Sequence, residues 1–436
     1  MSRATVTRRR VGGLAIGLVL PAALLFLALL PTLAVAPARA AERERCVFLH
    51  YWTGCMSGGI DDMVASFAKE RPDIEVKATG FEHESFKVGI KVMLASGNPP
   101  DLFSYWAGAR VQALVREGYL APIDDVWAEA KLDGIFPKAV ARACVYNGKP
   151  FAVPLTRHVV GFFYNRKLLD QVGGQPPATW AEFTALCARL KAAGITPIAL
   201  GAREKWPAQF WFDLLLLNTA GPEYRQRLMD GEASYLDPAV ARVFATWKGM
   251  LDAGWFTAHP GLRDWDEAAK LVHQGQAAMT LMGTWVIGLF QGQLGWREGQ
   301  DFDFFPFPAL EPDLPGVALG PMDVVVAARE GNLAAAKRVM AFFSGVEPQE
   351  RMSQGSGALA PSAEVPAAFY SDLKRRILAM ADANPHWAFN YDLATPHEVA
   401  MAGLETFAAF LNAPGEYPVQ CQRLQDRAAA VFAAGK

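Results

Sequence analysis

In the segment 47–106, stretches with the apolar spacing of a β-strand alternate with stretches that have the apolar spacing of an α-helix. This alternation constrains the fold more than any other feature of the chain. The runs 47–51 and 102–106 are short and apolar, and 74–78 alternates as a strand does. Between these runs the apolar residues recur at helical spacing. A β-α-β-α-β order predicts a parallel sheet flanked by helices, with ligands bound beyond the carboxyl ends of the strands.

The same alternation resumes further along the chain and predicts a second α/β unit. Strands are expected at 161–164 and 196–200, on either side of a helix that Thr179 and Glu182 open as a capping box. Another strand is expected at 276–282, and helices are expected over most of 333–436. A chain of 436 residues is long enough for two such units.

Residues 1–40 have the layout of a secretory signal peptide. Four arginines lie within the first ten residues, an almost wholly apolar stretch covers 14–30, and Ala38-Arg39-Ala40 is a small-x-small cleavage pattern. Cleavage after Ala40 and a periplasmic location are therefore predicted. An uncleaved membrane anchor is the alternative, because the apolar stretch approaches the ~18–20 residues that span a bilayer. Export by the Sec or the twin-arginine route stays open, since Arg8-Arg9 only hints at the latter.

The net charge of the chain without residues 1–40 argues against one class of binding partner. Residues 1–40 hold five of the 42 basic residues and no acidic one, so the remainder has 37 basic against 44 acidic side chains, a net charge of −7. A mildly acidic exported protein is a poor binder of nucleic acid, and no nucleic-acid partner is expected.

Cysteine spacing leaves disulfide pairing open. The number of cysteines is odd and the sequence contains no CxxC motif, so at least one thiol is free or pairs elsewhere. Buried thiols and a bridge, including one between Cys46 and Cys55, are both compatible with the sequence. The five cysteines are Cys46, Cys55, Cys144, Cys187 and Cys421.

Enzyme signatures are missing from the sequence. It contains no HExxH, GxSxG or Walker A motif, and no GxGxxG after a strand. The seven histidines lack the spacing of a metal site, so no metal or other cofactor is predicted. A secreted carbohydrate-active hydrolase remains an alternative, because its two catalytic carboxylates need no sequence motif.

The stretch HYWTGCMSGGIDDM, 50–63, has the strand, glycine turn and helix order of a phosphate-binding loop. Asp61 and Asp62 are expected in the first helical turn, where they would repel an anion. The paired acids Asp124 and Asp125 are likewise expected at a helix start. The loop therefore fits a neutral polyhydroxylated ligand better than a phosphate. A polyol, another small solute or a sugar phosphate held by Arg110 and Arg157 is the alternative.

Twelve tryptophans are a high number, and several fall where loops are expected. Sugars present apolar C–H faces, which flat aromatic rings can cover, and polar edges for Asp, Asn or Arg. Trp127, Trp180, Trp247 and Trp255 lie in helical patterns and are expected to be structural. The tryptophans in predicted loops are ligand-binding candidates: Trp52, Trp106, Trp206, Trp285 and Trp387.

A series of segments in a fixed order gives the chain a family resemblance over nearly all of 46–436. They include FAKERPDIEVKATG, ASGNPPDLFSYWAG, NGKPFAVPLTRHVVGFFYNRKLL, GQAAMTLMGTW and AAAKRVMAFF. The sequence resembles the periplasmic carbohydrate-binding proteins of ABC transporters, in the maltose-binding-protein superfamily. The resemblance implies a monomeric, non-enzymatic receptor that encloses a mono- or oligosaccharide and delivers it to membrane permease subunits.

The resemblance also implies a fold with two α/β lobes, each a mainly parallel sheet flanked by helices, and a ligand cleft at the hinge. One lobe would hold 41–153 and 318–358, and the other 154–317 and 359–436. Hinges would lie near 153–154, 315–320 and 358–361. By position in the family, ligand contacts are expected from Trp52, Thr53, Tyr105, Trp106, Arg157, His158, Trp206, Trp285, Asp323 and Trp387.

Overall fold

The computed structural model describes residues 43–384 and 386–434, without the side chain of Cys55. The predicted signal peptide at 1–40 lies outside the described residues. In the described part, no helix is long and apolar enough to cross a membrane.

Strands and helices alternate through the first part of the chain, as the hydrophobic periods predict. The elements up to residue 157 are β1 (Glu44–His50), α1 (Ser57–Glu70), β2 (Ile74–Gly80), α2 (His83–Ala95), β3 (Leu102–Trp106), α3 (Ala109–Arg116), α4 (Asp124–Glu129), α5 (Leu132–Ile135), α6 (Lys138–Arg142), β4 (Val145–Tyr146), β5 (Lys149–Pro150) and β6 (Ala152–Arg157).

The middle of the chain repeats the alternation with longer helices. Its elements are β7 (Val160–Asn165), α7 (Arg166–Gln171), α8 (Trp180–Ala192), β8 (Thr196–Ala199), α9 (Trp206–Met229), α10 (Pro238–Asp252), α11 (Trp265–His273), β9 (Ala277–Gly283), β10 (Phe302–Phe305), β11 (Val317–Leu319) and β12 (Met322–Ala327). The predicted capping box of Thr179 and Glu182 opens α8.

The last part of the chain is mostly helical, as predicted. It contains α12 (Leu333–Phe343), α13 (Val346–Ser356), α14 (Asp372–Ala383), β13 (His386–Ala388), α15 (Tyr391–Ala394), α16 (His397–Asn412) and α17 (Tyr417–Ala434).

Two sheets organise the fold. The first has the order β2-β1-β3-β12-β6, and the second has the order β10-β7-β9-β8. In the first sheet β1 pairs in parallel with β2 and β3, whereas β12 is antiparallel to both β3 and β6. In the second sheet β8 and β9 are parallel, and β7 is antiparallel to β9 and β10. Each sheet is thus mixed, with one reversed strand, and antiparallel pairings are more frequent than the predicted mainly parallel sheets imply. The α/β class itself is confirmed.

Two hydrophobic cores correspond to the two sheets. The first core collects apolar side chains from 46–155 and 322–352, together with Leu393. The second core collects side chains from 159–319 and 359–428. The chain crosses from one sheet to the other at His158 and Val159, between β6 and β7. Trp127 and Trp247 are buried core residues, as predicted.

The glycine-rich turn in the stretch 50–63 leads into a helix that begins earlier than the sequence predicts. Helix α1 begins at Ser57, so its first turn contains no acidic residue, and Asp61 and Asp62 lie exposed in the next turn. A Cβ at Gly59 would lie 2.9 Å from the backbone of Met352 in α13. The glycines therefore let two helices pack closely, and the expected repulsion of an anion by Asp61 and Asp62 in that first turn is wrong. Asp124 and Asp125 do occupy the first turn of α4, as predicted.

Four cysteines are buried free thiols, namely Cys46, Cys144, Cys187 and Cys421. Burial raises the pKa of Cys46 and of Cys421 to about 12, so both stay protonated and unreactive at neutral pH. Because Cys46 is free, the alternative of a bridge from Cys46 to Cys55 does not hold in this structure.

Candidate functional site

A cavity of about 100 Å³ lies between the two cores, where β1, β3 and β12 of the first sheet face helix α9 and the end of β9. Its walls combine aromatic rings with a few charged and amide groups, which is typical of a small-molecule site. The lining residues are Tyr51, Met56, His83, Lys87, Trp106, Arg110, His158, Trp206, Gln209, Phe210, Trp265, Trp285, Pro321, Asp323, Asn390, Asp392 and Leu393.

Strand topology brings the polar centre of this cavity together. Because β12 runs antiparallel to β3, its first residues lie beside the carboxyl end of β3, and Asp323 pairs with Trp106. The register between β12 and β6 shifts between Asp323 and Val324. Such bulges re-aim a side chain, and this one lies at the residue that lines the cavity.

Asp323 is a buried carboxylate with several donors around it. Its Oδ2 accepts from Thr156 Oγ1 at 2.6 Å and from Trp52 Nε1 at 3.4 Å. His158 Nε2 lies 3.3 Å from the same oxygen and must carry the proton, since an ionised carboxylate only accepts. Burial raises the pKa of Asp323, but His158, Thr156 and Tyr51 together outweigh it, so the pKa of Asp323 is lowered. Asp323 is therefore ionised despite its burial.

His158 links the crossing between the sheets to both walls of the cavity. Its Nδ1 lies 2.9 Å from the hydroxyl of Thr284, which follows β9. Its ring also meets Trp285 edge-on, with centroids 5.1 Å apart. The histidine is 2% exposed and is held from both sides, so its orientation is set before any ligand arrives.

Aromatic rings form two opposite walls. Trp106 of the first sheet stacks on Tyr51 with centroids 4.1 Å apart, and Arg110 lies over its ring at 4.9 Å. On the second side, Trp285 meets Trp206 and Trp265 edge-on, at 5.9 and 6.5 Å. These rings line the same cavity from both cores.

The absence of a side chain at Gly283 leaves room for the indole ring of Trp285 at the cavity wall. A Cβ at this position would overlap the indole ring of Trp285, so a residue with a side chain would displace the ring. The close approach of ring and backbone needs glycine at the end of β9.

Charged groups at the cavity are paired. Arg110 Nη2 donates to Asp392 Oδ2 at 2.6 Å, and Lys87 Nζ donates to Glu84 Oε1 at 2.6 Å. Burial, followed by the nearby charge of Lys87, lowers the pKa of His83, so this imidazole is neutral at pH 7. The cavity therefore carries no excess charge of either sign from these groups.

Half of the residues expected from sequence to contact a ligand line this cavity. They are Trp106, His158, Trp206, Trp285 and Asp323, and they come from strands and loops far apart in the chain. Their convergence follows from the topology of the two sheets.

Two more of the expected residues lie just behind the cavity wall. Trp52 is fully buried, donates its indole N–H to Asp323 and packs its ring against Tyr51 at 5.2 Å. Thr53 precedes the short turn before α1 and is not among the lining residues. The side chain of Trp52 thus supports a lining residue and does not itself face the cavity.

The remaining three lie elsewhere. Tyr105 faces a different cavity because successive side chains of β3 alternate between the faces of the sheet. Arg157 and Trp387 line a third cavity, where Arg157 pairs with Asp382 at 3.2 Å and lies 6.0 Å from the ring of Trp387. Alternation again explains the difference, since Arg157 precedes the inward-facing His158.

Several lining residues were not predicted from the sequence. Helices α2, α9 and α11 supply His83, Lys87, Gln209 and Trp265, and the segment before and within α15 supplies Asn390 and Asp392. For Asn390 and Asp392 the sequence offers only the polar run FNYDL after the candidate Trp387, and for the helical residues it offers no signal. Among the described residues no group of three or more histidine, cysteine or acidic side chains could hold a metal ion.

Comparisons with known proteins agree with this architecture. The family model of bacterial extracellular solute-binding proteins matches residues 56–350. An uncharacterized ABC transporter extracellular-binding protein of Pyrococcus horikoshii is 30% identical over 351 residues, which cover 79% of this chain and 77% of that protein. A probable sugar-binding periplasmic protein of Mesorhizobium japonicum is 28% identical over 63% of this chain and 66% of its own length.

Solved structures show the same fold. The bacterial solute receptor AcbH superposes with a TM-score of 0.83 at 26% identity, covering 90% of this chain and all of that one. A chitin oligosaccharide binding protein superposes with a TM-score of 0.79 at 25% identity, covering 89% and 99%. The predicted resemblance is confirmed, and the chain belongs to the bacterial extracellular solute-binding proteins.

Proposed function

We propose that this protein captures a carbohydrate in the cavity between its two cores and delivers it to the permease of an ABC transporter. The observation that carries the proposal is the cavity itself, which Trp106 and the cluster around Trp285 line together with the buried Asp323. Aromatic walls cover the C–H faces of a sugar, and buried polar groups select its hydroxyls.

The relatives support a carbohydrate ligand. Similar chains include probable sugar-binding periplasmic proteins and a xylose/arabinose-binding protein of Haloferax volcanii, which is 26% identical over 64% of this chain. The solute receptor AcbH has an exclusive substrate preference for β-D-galactopyranose. These ligands belong to those proteins, and their shared class guides the choice of ligands to test.

The working cycle follows from two cores that share a few connections. The two proposed lobes are 41–153 with 318–358 and 154–317 with 359–436, and the separation of the two hydrophobic cores supports this division. Ligand would bind between open lobes, closure would enclose it, and the permease would recognise the closed monomer. The predicted signal peptide would place the receptor in the periplasm.

Binding without catalysis is the second part of the proposal. A glycoside hydrolase needs one carboxyl group that stays protonated near neutral pH to act as the acid. Two carboxylates line the cavity, Asp323 and Asp392. The pKa of Asp323 is lowered, and Asp392 is paired with Arg110. This arrangement favours a binding site over a hydrolytic one.

A thermal-shift screen of the purified protein against neutral sugars, polyols, uronic acids and sugar phosphates tests the proposal. A ligand at 100 times its Kd should stabilise the fold by about 2.7 kcal/mol, and the best sugars are then measured by titration calorimetry. Incubation with oligosaccharides, followed by chromatography, checks for turnover. Stabilisation by no sugar, or release of sugar products, would contradict the proposal.

A further inference from the structure

One end of the central cavity, formed by Arg110, Asn390 and Asp392, carries buried polar atoms that lack a hydrogen-bond partner in the part of the chain that the structure describes. Asn390 and Asp392 line the cavity and are 6% and 7% exposed. Asn390 Oδ1, Asp392 Oδ1 and Arg110 Nε have no hydrogen-bond partner among the described residues. Buried polar atoms in native proteins are almost always paired, so three such atoms at one end of a cavity point to a ligand that pairs them.

The local fold keeps the side chain of Asn390 available. Asn390 stands at the N-cap of α15, where an asparagine side chain ordinarily accepts from the helix amides, yet it makes no such bond. Helix α9 caps these amides instead. Asp213 Oδ2 accepts from the amide of Tyr391 at 2.7 Å, and Gln209 Oε1 accepts from the amide of Asp392 at 2.9 Å.

A buried arginine holds this arrangement in place. Arg225 donates to Asp213 Oδ1 through Nε and Nη2, at 2.9 and 2.7 Å, and through Nη2 to the carbonyl of Phe389 at 2.7 Å. The segment that carries Asn390 and Asp392 is therefore fixed by a neighbouring helix, and its side chains are positioned before a ligand binds.

Only one of the two carboxylate oxygens of Asp392 has a hydrogen-bond partner among the described residues. Its Oδ2 accepts from Arg110 at 2.6 Å, and its Oδ1 is the unpaired oxygen. A hydroxyl can donate to this oxygen and accept from Arg110, whereas a ligand carboxylate or phosphate only accepts and would be repelled by Asp392. The cationic groups at the cavity already have carboxylate partners, as Lys87 has Glu84. This end of the cavity suits hydroxyl groups and disfavours anions.

Volume limits the length of the occupant. The central cavity measures about 100 Å³. A protein cavity of ~150 Å³ accepts benzene, and a sugar ring with its hydroxyl groups is larger than benzene. The walls must therefore move apart even for one sugar ring, and a second ring would require a wider opening still.

We propose, on the basis of the proposed carbohydrate function, that the ligand is a single uncharged sugar ring and that Asn390 and Asp392 bind two of its hydroxyl groups. The tryptophans then cover the faces of the ring, and the polar end decides which monosaccharide is accepted.

Titration calorimetry with defined sugars tests the ligand class. The panel contains D-glucose, D-galactose, D-mannose, D-xylose and L-arabinose, the acids D-glucuronate and D-galacturonate, and the disaccharides maltose, cellobiose and lactose. One neutral monosaccharide should bind at least ~100-fold more tightly than any acid or disaccharide. A tighter acid or disaccharide would overturn the inference and leave the carbohydrate function standing. Binding of no sugar in this panel or in the wider screen would refute the function itself.

Two variants test the assigned side chains. Asn390→Ala and Asp392→Asn should each weaken binding of the preferred monosaccharide about 10- to 100-fold, because each removes a hydrogen bond to a buried hydroxyl. Asn412→Ala and Asp372→Asn are the matched controls, since Asn412 lies exposed at the end of α16 and Asp372 is exposed in α14. Unchanged affinity in both site variants would overturn the inference.

Deoxy sugars make the test independent of folding. Each monodeoxy form of the preferred sugar is titrated against the wild-type protein, and two of them should bind about 10- to 100-fold more weakly. In a double-mutant cycle, one of these losses should nearly disappear in Asn390→Ala and the other in Asp392→Asn. If either variant fails to fold, wild-type protein that binds every deoxy sugar equally well contradicts the inference by itself.

Discussion

Two cavities of this protein use the same kinds of residue in different surroundings. The central cavity has Trp285, His158 and Asp323, whereas the side cavity, defined by Arg157, Asp382 and Trp387, has a tryptophan, a base and a carboxylate as well. The side chain of Asp323 is 6% exposed, and that of Asp382 is 57% exposed. Residue type alone therefore does not identify a binding site.

Burial of the carboxylate makes the difference between the two cavities. In the central cavity the side chain of Asp323 is shielded from water, so its polar contacts are not screened. In the side cavity the carboxylate stays in water, where ion pairs contribute little to stability or affinity. Matched substitutions in the two cavities can test whether this contrast holds.

The strongest effect that we expect is on stability, at the two carboxylates. Asp323→Ala should lower the free energy of unfolding by about 3–5 kcal/mol, because it leaves the buried donors of Thr156 and His158 without their acceptor. Asp382→Ala should cost less than about 1 kcal/mol. Urea denaturation of both variants measures the difference. Equal losses in the free energy of unfolding would show that the buried donors around Asp323 do not depend on its carboxylate.

The next effect is on affinity, at the two tryptophans. Trp285→Ala should weaken binding of the preferred sugar by about 2–3 kcal/mol, which is roughly 30- to 150-fold, since an aromatic wall is removed. Trp387→Ala should leave the affinity within about threefold. Titration calorimetry compares them, and an unchanged affinity in Trp285→Ala would contradict the location of the site.

Acid should destabilise the region of the central cavity. Burial lowers the pKa of His50 from 6.5 to about 4, and the pKa of His83 is lowered as well. His50 therefore stays neutral in the folded protein well below pH 6.5, where the unfolded chain takes up a proton, and the lowered pKa of His83 acts in the same direction. Stability is therefore full above pH 6.5 and is lost as the pH falls towards 4, by about 2 kcal/mol at pH 5 for His50.

His50→Gln should remove most of this pH dependence. Thermal melts of the ligand-free protein between pH 7.5 and 4.5 compare the variant with the wild type. A variant whose melting temperature falls with pH as steeply as that of the wild type would assign the effect to other groups.

The smallest effect that we expect is a difference in sugar affinity between substitutions at the adjacent residues His158 and Arg157. His158→Phe should weaken sugar binding about 5- to 10-fold, because Asp323 loses a donor that sets its orientation. Arg157→Met should change affinity less than twofold, since its guanidinium pairs with Asp382 in the other cavity. Calorimetry on both variants decides whether strand alternation assigns the two side chains correctly.

Local patterns in the sequence were enough to predict the fold class. The alternation of strand and helix periods depends only on which side of each element is apolar, so it predicted the parallel pairing of β1 with β2 and β3. It also placed Trp106 and Trp285 directly after or at the end of strands, where the cavity indeed lies.

Side-chain direction at the sheet edge could not be predicted in the same way. A shift of one residue in a strand sends a side chain to the opposite face, which separates His158 from Arg157. Helix α1 begins earlier than the sequence predicts, because helix starts without a capping side chain leave little trace in sequence.

Hydrophobic periodicity is a local property, and it was sufficient to specify two α/β units with aromatic residues at the strand ends. The place of Asn390 and Asp392 in the cavity, in contrast, came from tertiary packing alone. Their role depends on Asp213, Gln209 and Arg225, which cap and fix a distant segment from another helix. Such long-range contacts arise when elements pack together, and no spacing along the chain encodes them.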